Sequence, residues 1–322
     1  MNFKVLIPQP IAKEGIDLLE KEGAEVIIPP DYNEETLISH VSDVDAILIR
    51  TAKLSRVVIE KASKLKVIAR HGIGVDNIDL EAASDRGILV TNAPFANVNA
   101  VAEHVLTLIL SGSRQLIQVD SALRNGDFEV RNRKFGIELK GKTLGVVGFG
   151  NIGQLVAEKC HYGLGMDVLV YDPYVREENV SSYVQLNQSL SEVLASSDIV
   201  TIHVPYLPST HHLINEEALQ QMKKDAILVN AARGGIIDEI ALEKALGSGE
   251  IRGACLDCFE TEPPAVDHSL WNLENVIVTP HLAAHTEEAM IEMAVTPAKD
   301  IIAIMKGEKP LYPVNEKEIK VS

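Results

Sequence analysis

Cysteine is scarce in this chain of 322 residues, which has only three. That argues against a disulfide framework and points to a reducing compartment, so a cytoplasmic setting is expected. Aromatic residues are few as well, 4% of the total with a single tryptophan, while hydrophobic residues reach 46%. The core must be mainly aliphatic, the composition of α/β proteins whose parallel strands are buried on both faces. Positive charge is in deficit: 30 Lys and Arg against 46 Asp and Glu give a formal charge of −16. This balance argues against nucleic acid or an anionic membrane as partner, yet leaves room for a local basic pocket that takes a small anion. No apolar run reaches the ~18 residues of a membrane span. Short-period repeats and low-complexity tracts are also missing. The opening Met1-Asn-Phe-Lys-Val-Leu-Ile is expected to enter a fold as a strand, since it lacks signal-peptide architecture.

What the chain does have is alternation. Strand-like runs at 4–8, 26–28, 46–49, 66–69 and 89–91 are interleaved with helical spacing at 11–22 (Ile11, Gly15, Leu18, Leu19) and 34–41. Such alternation predicts βαβ units and a parallel sheet with helices on both faces. A long apolar helix is predicted over 99–115; its apolarity suits either a core or a subunit interface. A polar, glycine-bearing connection follows over 124–142. Strands are then predicted at 143–147, 168–171, 199–204, 226–230, 253–256 and 276–279, enough for a doubly wound sheet of six or seven strands. A last helix over 287–306 has no strand of its own to join. It is expected to return to the N-terminal part, which makes residues 1–98 plus 287–322 one discontinuous domain and 99–286 an insertion, with the site in the cleft between them.

The most specific segment is Lys142-Thr-Leu-Gly-Val-Val-Gly148-Phe-Gly150-Asn151-Ile152-Gly153. It is a G-x-G-x-x-G that an apolar strand enters and an amphipathic helix leaves. Gly148 permits the tight turn, Gly150 lets a pyrophosphate approach the backbone, and Gly153 lets helix and strand pack closely. The helix start offers unpaired N–H groups to phosphate oxygens. The next strand ends on Asp172, 19 residues past Gly153, where a carboxylate accepts from a ribose 2′-OH. A carboxylate there repels a 2′-phosphate, and Pro173 and Tyr174 follow it rather than a basic pair, so NAD is expected over NADP. Arg176 is the nearest cation.

A nicotinamide enzyme that oxidises an alcohol also needs a proton acceptor, a cation for any substrate carboxylate, and a group that sets the base. Three segments follow predicted strands: Asn230-Ala231-Ala232-Arg233-Gly-Gly, Asp257-Cys-Phe-Glu260-Thr-Glu262-Pro-Pro, and Thr279-Pro-His281-Leu-Ala-Ala284. Ligands of open α/β sheets bind beyond the carboxyl ends of strands, so the three should converge on the nucleotide crevice. Singly, Arg233 would read as a surface ion pair, Glu262 as a solvated loop residue and His281 as a turn residue. Together they supply the three parts.

With Arg70-His-Gly72-Ile-Gly74-Val75-Asp76-Asn-Ile-Asp79, Asn92-Ala-Pro, Val101-Ala-Glu-His104 and His203-Val204-Pro205…Thr210, the chain resembles the D-isomer-specific 2-hydroxyacid dehydrogenases over nearly its whole length. The resemblance implies a catalytic set of Arg233, Glu262 and His281. Arg233 would grip the substrate carboxylate, His281 would exchange the hydroxyl proton, and Glu262 would favour the imidazolium and fix its tautomer. It implies NAD contacts at Gly148, Gly150, Asn151, Ile152, Gly153, Asp172, His203, Val204, Pro205, Thr210, Ala231, Ala232, Arg233, Asp257, His281 and Ala284, with Asp257 on the nicotinamide carboxamide. Substrate contacts are implied at Gly74 and Val75. The fold implied is α/β, a flavodoxin-like substrate domain with an inserted Rossmann domain for NAD, and the assembly a homodimer.

Within the family, Ile49-Arg50-Thr-Ala, the Arg70 segment and Glu138-Leu-Lys-Gly-Lys-Thr-Leu-Gly most resemble the 3-phosphoglycerate dehydrogenases of serine biosynthesis. Arg50 and Arg70 would then hold a phosphate, unless they serve as interdomain salt bridges; Arg131 or Arg133 could add a third cation, from a partner subunit. The chain stops at Ser322, which is expected to leave it without a C-terminal regulatory domain. Hydroxypyruvate or glyoxylate reductases and general D-2-hydroxyacid dehydrogenases remain alternatives. So, in another class, does an NAD-sensing corepressor-like protein; formate dehydrogenase is disfavoured because those relatives replace the glutamate. The stretch after His281 departs from the pattern at His285, expected to cap the following helix or touch a ligand. Cys255 and Cys258 form a C-x-x-C at a strand end, where alternation separates their side chains, so no metal is expected. His211-His212 is expected to open a solvated helix.

Overall fold

The computed structural model describes residues 2–319. The chain forms two compact units, one running to Asn97 and resuming at His285, the other Val98–Ala284. The first runs β1 (Lys4–Leu6), α1 (Lys13–Lys21), β2 (Glu25–Ile27), α2 (Glu34–His40), β3 (Ala46–Ile49), α3 (Arg56–Lys61), β4 (Val67–Arg70), α4 (Leu80–Asp85) and β5 (Leu89–Thr91). Three of these short helices start where a side-chain oxygen accepts a free backbone N–H: Asn33 from Thr36, Ser55 from Val58, Asp79 from Ala82. Such caps fix where a helix begins when its length alone cannot.

The second unit runs α5 (Val98–Arg114), α6 (Leu116–Arg124), β6 (Thr143–Val147), α7 (Asn151–Leu164), β7 (Asp167–Tyr171), β8 (Val184–Asn187), α8 (Leu190–Ser196), β9 (Ile199–Ile202), α9 (Glu216–Gln221), β10 (Ile227–Asn230), α10 (Glu239–Ser248), β11 (Gly253–Leu256) and β12 (Val276–Val278). The chain then re-enters the first unit with α11 (Glu287–Met305), which packs against α1 and β4.

Both sheets are parallel throughout. The first has the order β2-β1-β3-β4-β5, the flavodoxin-like winding, and the second β12-β11-β10-β9-β6-β7-β8, a Rossmann winding with one strand added. The central strands β3, β9, β10 and β11 are buried along their whole length, as aliphatic runs covered by helices on both faces must be. One layer over the second sheet is α5 and α7, whose Val101, Val105, Leu108, Val156 and Ala157 pack on Leu144, Val146 and Val229. The other face is covered through Leu194, Leu219, Leu242 and Leu246. Among the described residues, no helix is long and apolar enough to cross a membrane.

Candidate active site

Every residue expected to serve NAD or catalysis sits at or just beyond the carboxyl end of a strand of the second sheet. The winding reverses between β6 and β9, so loops on either side diverge and leave a crevice there. Gly148 follows β6 with φ of 94°, and a Cβ there would come 2.7 Å from the His203 carbonyl carbon. Only glycine fits this turn. A Cβ at Gly150 would meet nothing within 4 Å. The backbone is open there, and Asn151, Ile152 and Gly153 form the first turn of the fourteen-residue α7. Asp172 flanks the loop: Oδ2 accepts from Phe149 N at 2.8 Å and Oδ1 from Tyr174 N at 2.9 Å. Open backbone, a helix start and a held carboxylate together fit a dinucleotide. In the loop after β9, His203 Nε2 lies 3.0 Å from Thr201 Oγ1. Thr210 donates to the Pro205 carbonyl at 2.6 Å and accepts from Leu207 N, closing Pro205–Thr210 on itself.

Ala231, Ala232 and Arg233 follow β10. The buried Asn230 shapes this turn, donating to Arg233 O at 2.8 Å and accepting from Ala232 N at 3.0 Å. Arg233 Nη1 donates to Ala232 O at 2.8 Å. Gly234 brings the next loop close, since a Cβ on it would fall 1.9 Å from the carbonyl carbon of Phe259.

Asp257 follows β11 and is wholly buried. Its Oδ1 accepts from Thr279 Oγ1 at 2.5 Å and from Leu282 N at 3.0 Å, its Oδ2 from Ala283 N at 2.8 Å, and His104 Nε2 of α5 is 3.5 Å away. Burial works against its charge, but these donors outweigh it and hold the carboxyl below its ordinary value. Asp257 thereby ties down 279–283, the segment that carries His281. Within that segment His281 has φ of 51° and its Nδ1 lies 2.7 Å from Glu262 Oε2. Glu262 Oε1 accepts from Phe259 N at 3.1 Å. Burial would raise the Glu262 carboxyl, yet the His281 contact, the Phe259 N–H and the Arg233 charge bring it below its usual value. A carboxylate on Nδ1 makes that nitrogen the N–H and leaves Nε2 as the one that can take a proton.

In the first unit Arg50 follows β3 and Arg70 ends β4. Gln9, after β1, accepts from Thr51 N and Ala52 N and donates to Thr51 Oγ1 at 2.8 Å. Asn77 donates to Ala52 O at 2.8 Å and accepts from Arg70 Nε at 3.2 Å. Gly74 and Val75 lie between Arg70 and Asn77, just past β4. Asn230 and Asn77 stand in the quoted segments without an expected role, and Gln9 is in none of them. A single amide carries no spacing signal, and only its contacts show what it braces.

The family model described as "D-isomer specific 2-hydroxyacid dehydrogenase, NAD binding domain" matches residues 106–283. The chain belongs to the D-isomer-specific 2-hydroxyacid dehydrogenase family. It is 43% identical over 321 residues to the D-3-phosphoglycerate dehydrogenase of Archaeoglobus fulgidus, covering 99% of this chain and 60% of that enzyme. It thus spans less than two thirds of that relative's length. It is 40% identical to the glyoxylate reductase of Pyrococcus furiosus, covering 100% of this chain and 98% of that one. Among solved structures, the NADPH-dependent glyoxylate/hydroxypyruvate reductase of Sinorhizobium meliloti superposes with a TM-score of 0.89 at 27% identity, covering 100% and 99%. The second unit therefore carries the family's NAD-binding domain.

Some of these expectations the structure corrects, and others it leaves standing. His285 does not cap α11: Thr286 does, accepting from Ala289 N, while His285 Nε2 lies 2.8 Å from Arg50 Nη2. His211 and His212 open no helix. His212 sits in a turn with φ of 48°, its Nε2 2.9 Å from Glu260 Oε1 and its ring stacked on His211. The connecting stretch expected after residue 124 is preceded by α6, and β8 adds a strand the pattern did not mark. Arg131 lies over the Phe128 ring and Arg133 pairs with Asp127. Cys255 and Cys258 are buried and donate to different carbonyls, of Leu108 and Asn230. Burial raises both thiols, Cys255 to about 12.

Proposed function

We propose that this chain transfers a hydride between NAD and C2 of a D-2-hydroxy acid, with 3-phosphoglycerate and 3-phosphohydroxypyruvate as its substrate pair. The observation that carries the reading is the 2.7 Å contact between His281 Nδ1 and Glu262 Oε2. In oxidation, His281 Nε2 takes the hydroxyl proton, and Glu262 stabilises the imidazolium that forms. Arg233 holds the carboxylate with its planar fork; Gly74 and Val75 are substrate contacts by resemblance to the family. Bound NAD supplies the hydride acceptor at nicotinamide C4. In reduction the same proton returns from Nε2 to the substrate oxygen. Asp172 takes the ribose hydroxyls on the acceptor capacity left after Phe149 and Tyr174, which favours NAD. Asp257 positions His281, and its Oδ2 keeps capacity for the nicotinamide carboxamide. Val204, Pro205, Thr210, Ala231, Ala232 and Ala284 line the cofactor. Arg50 and Arg70 hold the phosphate.

D-3-phosphoglycerate dehydrogenases among the relatives support that substrate. The end-to-end match to a glyoxylate reductase supports a second reading, reduction of an unphosphorylated keto acid. Initial rates of NADH oxidation with 3-phosphohydroxypyruvate, hydroxypyruvate and glyoxylate separate them. A preference of ~100-fold or more for the phosphorylated acid, about 2.7 kcal/mol of transition-state binding, is expected. A preference for glyoxylate or hydroxypyruvate would move the assignment to the second reading. We also infer a cytoplasmic homodimer. Helix α6 buries none of its residues, and Leu116, Ile117 and Leu123 on it stand more than half exposed, an apolar face suited to a second copy.

A further inference from the structure

Beyond the catalytic set, the least explained contact is the one between Arg50 and His285. Arg50 Nη2 lies 2.8 Å from His285 Nε2, and Nη1 lies 3.4 Å from the Pro10 carbonyl oxygen. A guanidinium only donates, so a hydrogen bond at this distance falls on the Nε2 lone pair of His285. Neither contact neutralises the arginine, in a chain whose formal charge is −16. Among the described residues, no carboxylate pairs with Arg50.

Arg70 ends the neighbouring strand and is steered by Asn77, which also fastens the Arg50 loop through Ala52. His71, next to Arg70, is 2% exposed, and its Nε2 is buried with no hydrogen-bond partner among the described residues. Burial first, and then the charges of Arg50 and Arg70, push its imidazole down to about 3, so it stays neutral beside the two cations. A neutral His71 thus lies beside Arg50 and Arg70, with the Pro10 carbonyl oxygen accepting from Arg50 and the Asn77 amide oxygen from Arg70. Such a site has its attraction for an anion built in before the anion arrives.

We propose that His285 is a positioning residue that aims Arg50 at the phosphate of a phosphorylated keto acid and so sets this chain's preference for that substrate class. The inference rests on the phosphorylated-substrate reading above. A histidine accepting on Nε2 orients the guanidinium as a carboxylate would, without cancelling its charge. Thr286, not His285, caps α11, so His285 can be changed without removing the cap.

The test is a cycle of Arg50→Met, His285→Ala and the double variant, with His285→Gln as the conservative member, since its amide oxygen can accept from Arg50. The readout is the ratio of kcat/KM for 3-phosphohydroxypyruvate to that for hydroxypyruvate. His285→Ala is expected to lower the ratio about tenfold, through KM for the phosphorylated substrate rather than kcat. His285→Gln should restore most of it. In the double variant, the His285 change should add nothing to the loss caused by Arg50→Met. An Arg50→Met ratio equal to wild type would defeat the phosphate reading itself. A large effect of Arg50→Met with none of His285→Ala, or an equal loss on both substrates, would overturn the role of His285 alone. Additive effects in the double variant would also overturn it.

Discussion

Asp172 uses one lone pair on each carboxylate oxygen for the backbone of the loop it flanks. Those contacts fix the glycine turn, and in the proposed cofactor site the same charge would repel a 2′-phosphate. Asp172→Ala should lower NAD affinity and move the NAD/NADP preference toward NADP by about tenfold, read from kcat/KM with each cofactor. An unchanged ratio would contradict the ribose assignment. His71 makes a prediction of another kind. Its ordinary value is 6.5 and its value in the fold is about 3, so between these the unfolded chain binds more protons than the folded one. The stability it allows is complete above pH 6.5 and is lost as pH falls toward 3. Denaturant unfolding of wild type and His71→Leu from pH 7 to 4 should differ in slope by up to about 1.4 kcal/mol per pH unit, wild type falling faster. Parallel curves would mean that His71 is protonated in the fold. At this scale the sequence showed the residues that sit in spaced motifs, Asp172, Arg233, Glu262 and His281. It did not show the roles of Asn230, which shapes its own turn, or of Asn77 and Gln9, which brace the loop at 51–52 from elsewhere in the sequence.

Strands and helices were legible wherever their burial was one-sided or total. The aliphatic runs of β3, β9, β10 and β11 admitted one reading, and α5 and α11 were long enough for periodicity to place them within two residues. The edge strand β8, with Gln185 exposed and Asn187 at its end, lacks that density, because one side of an edge needs no partner. Helix α6 was missed because its apolar residues face outward, which leaves no buried stripe to anchor a period. His285 was misjudged because a cap is read from composition, and both it and Thr286 precede the helix. Removing the real cap with Thr286→Ala should cost about 1 kcal/mol in unfolding free energy; no loss would mean that α11 is held by packing alone. Between elements, Gly234 is the tightest point of the site. Gly234→Ala must push the Phe259–Glu262 segment away from Arg233, so kcat should fall at least tenfold with NADH affinity less affected. A variant as active as wild type would show that the two loops need not touch.

On the scale of the whole molecule, two parallel sheets of different winding divide the chemistry. The sheet of the Val98–Ala284 unit carries the glycine turn, Asp172 and the His281–Glu262 pair, while the other carries Arg50 and Arg70. A surplus of negative charge over the chain coexists with those arginines because charge balance is a global sum and binding is local. The sequence disclosed the two sheets and the family, since both rest on patterns repeated along the chain. It left the substrate open, since Arg50 and Arg70 gain meaning only from what surrounds them. The central claim is that His281, set by Glu262, moves the proton that accompanies hydride transfer. His281→Ala, assayed for turnover by NADH absorbance at 340 nm and for NADH binding by fluorescence, tests it most directly. The account predicts a loss of about 10² to 10⁴ in kcat with NADH affinity within a few-fold of wild type. Turnover that survives, or NADH affinity that collapses with it, would make His281 a structural residue and contradict the account.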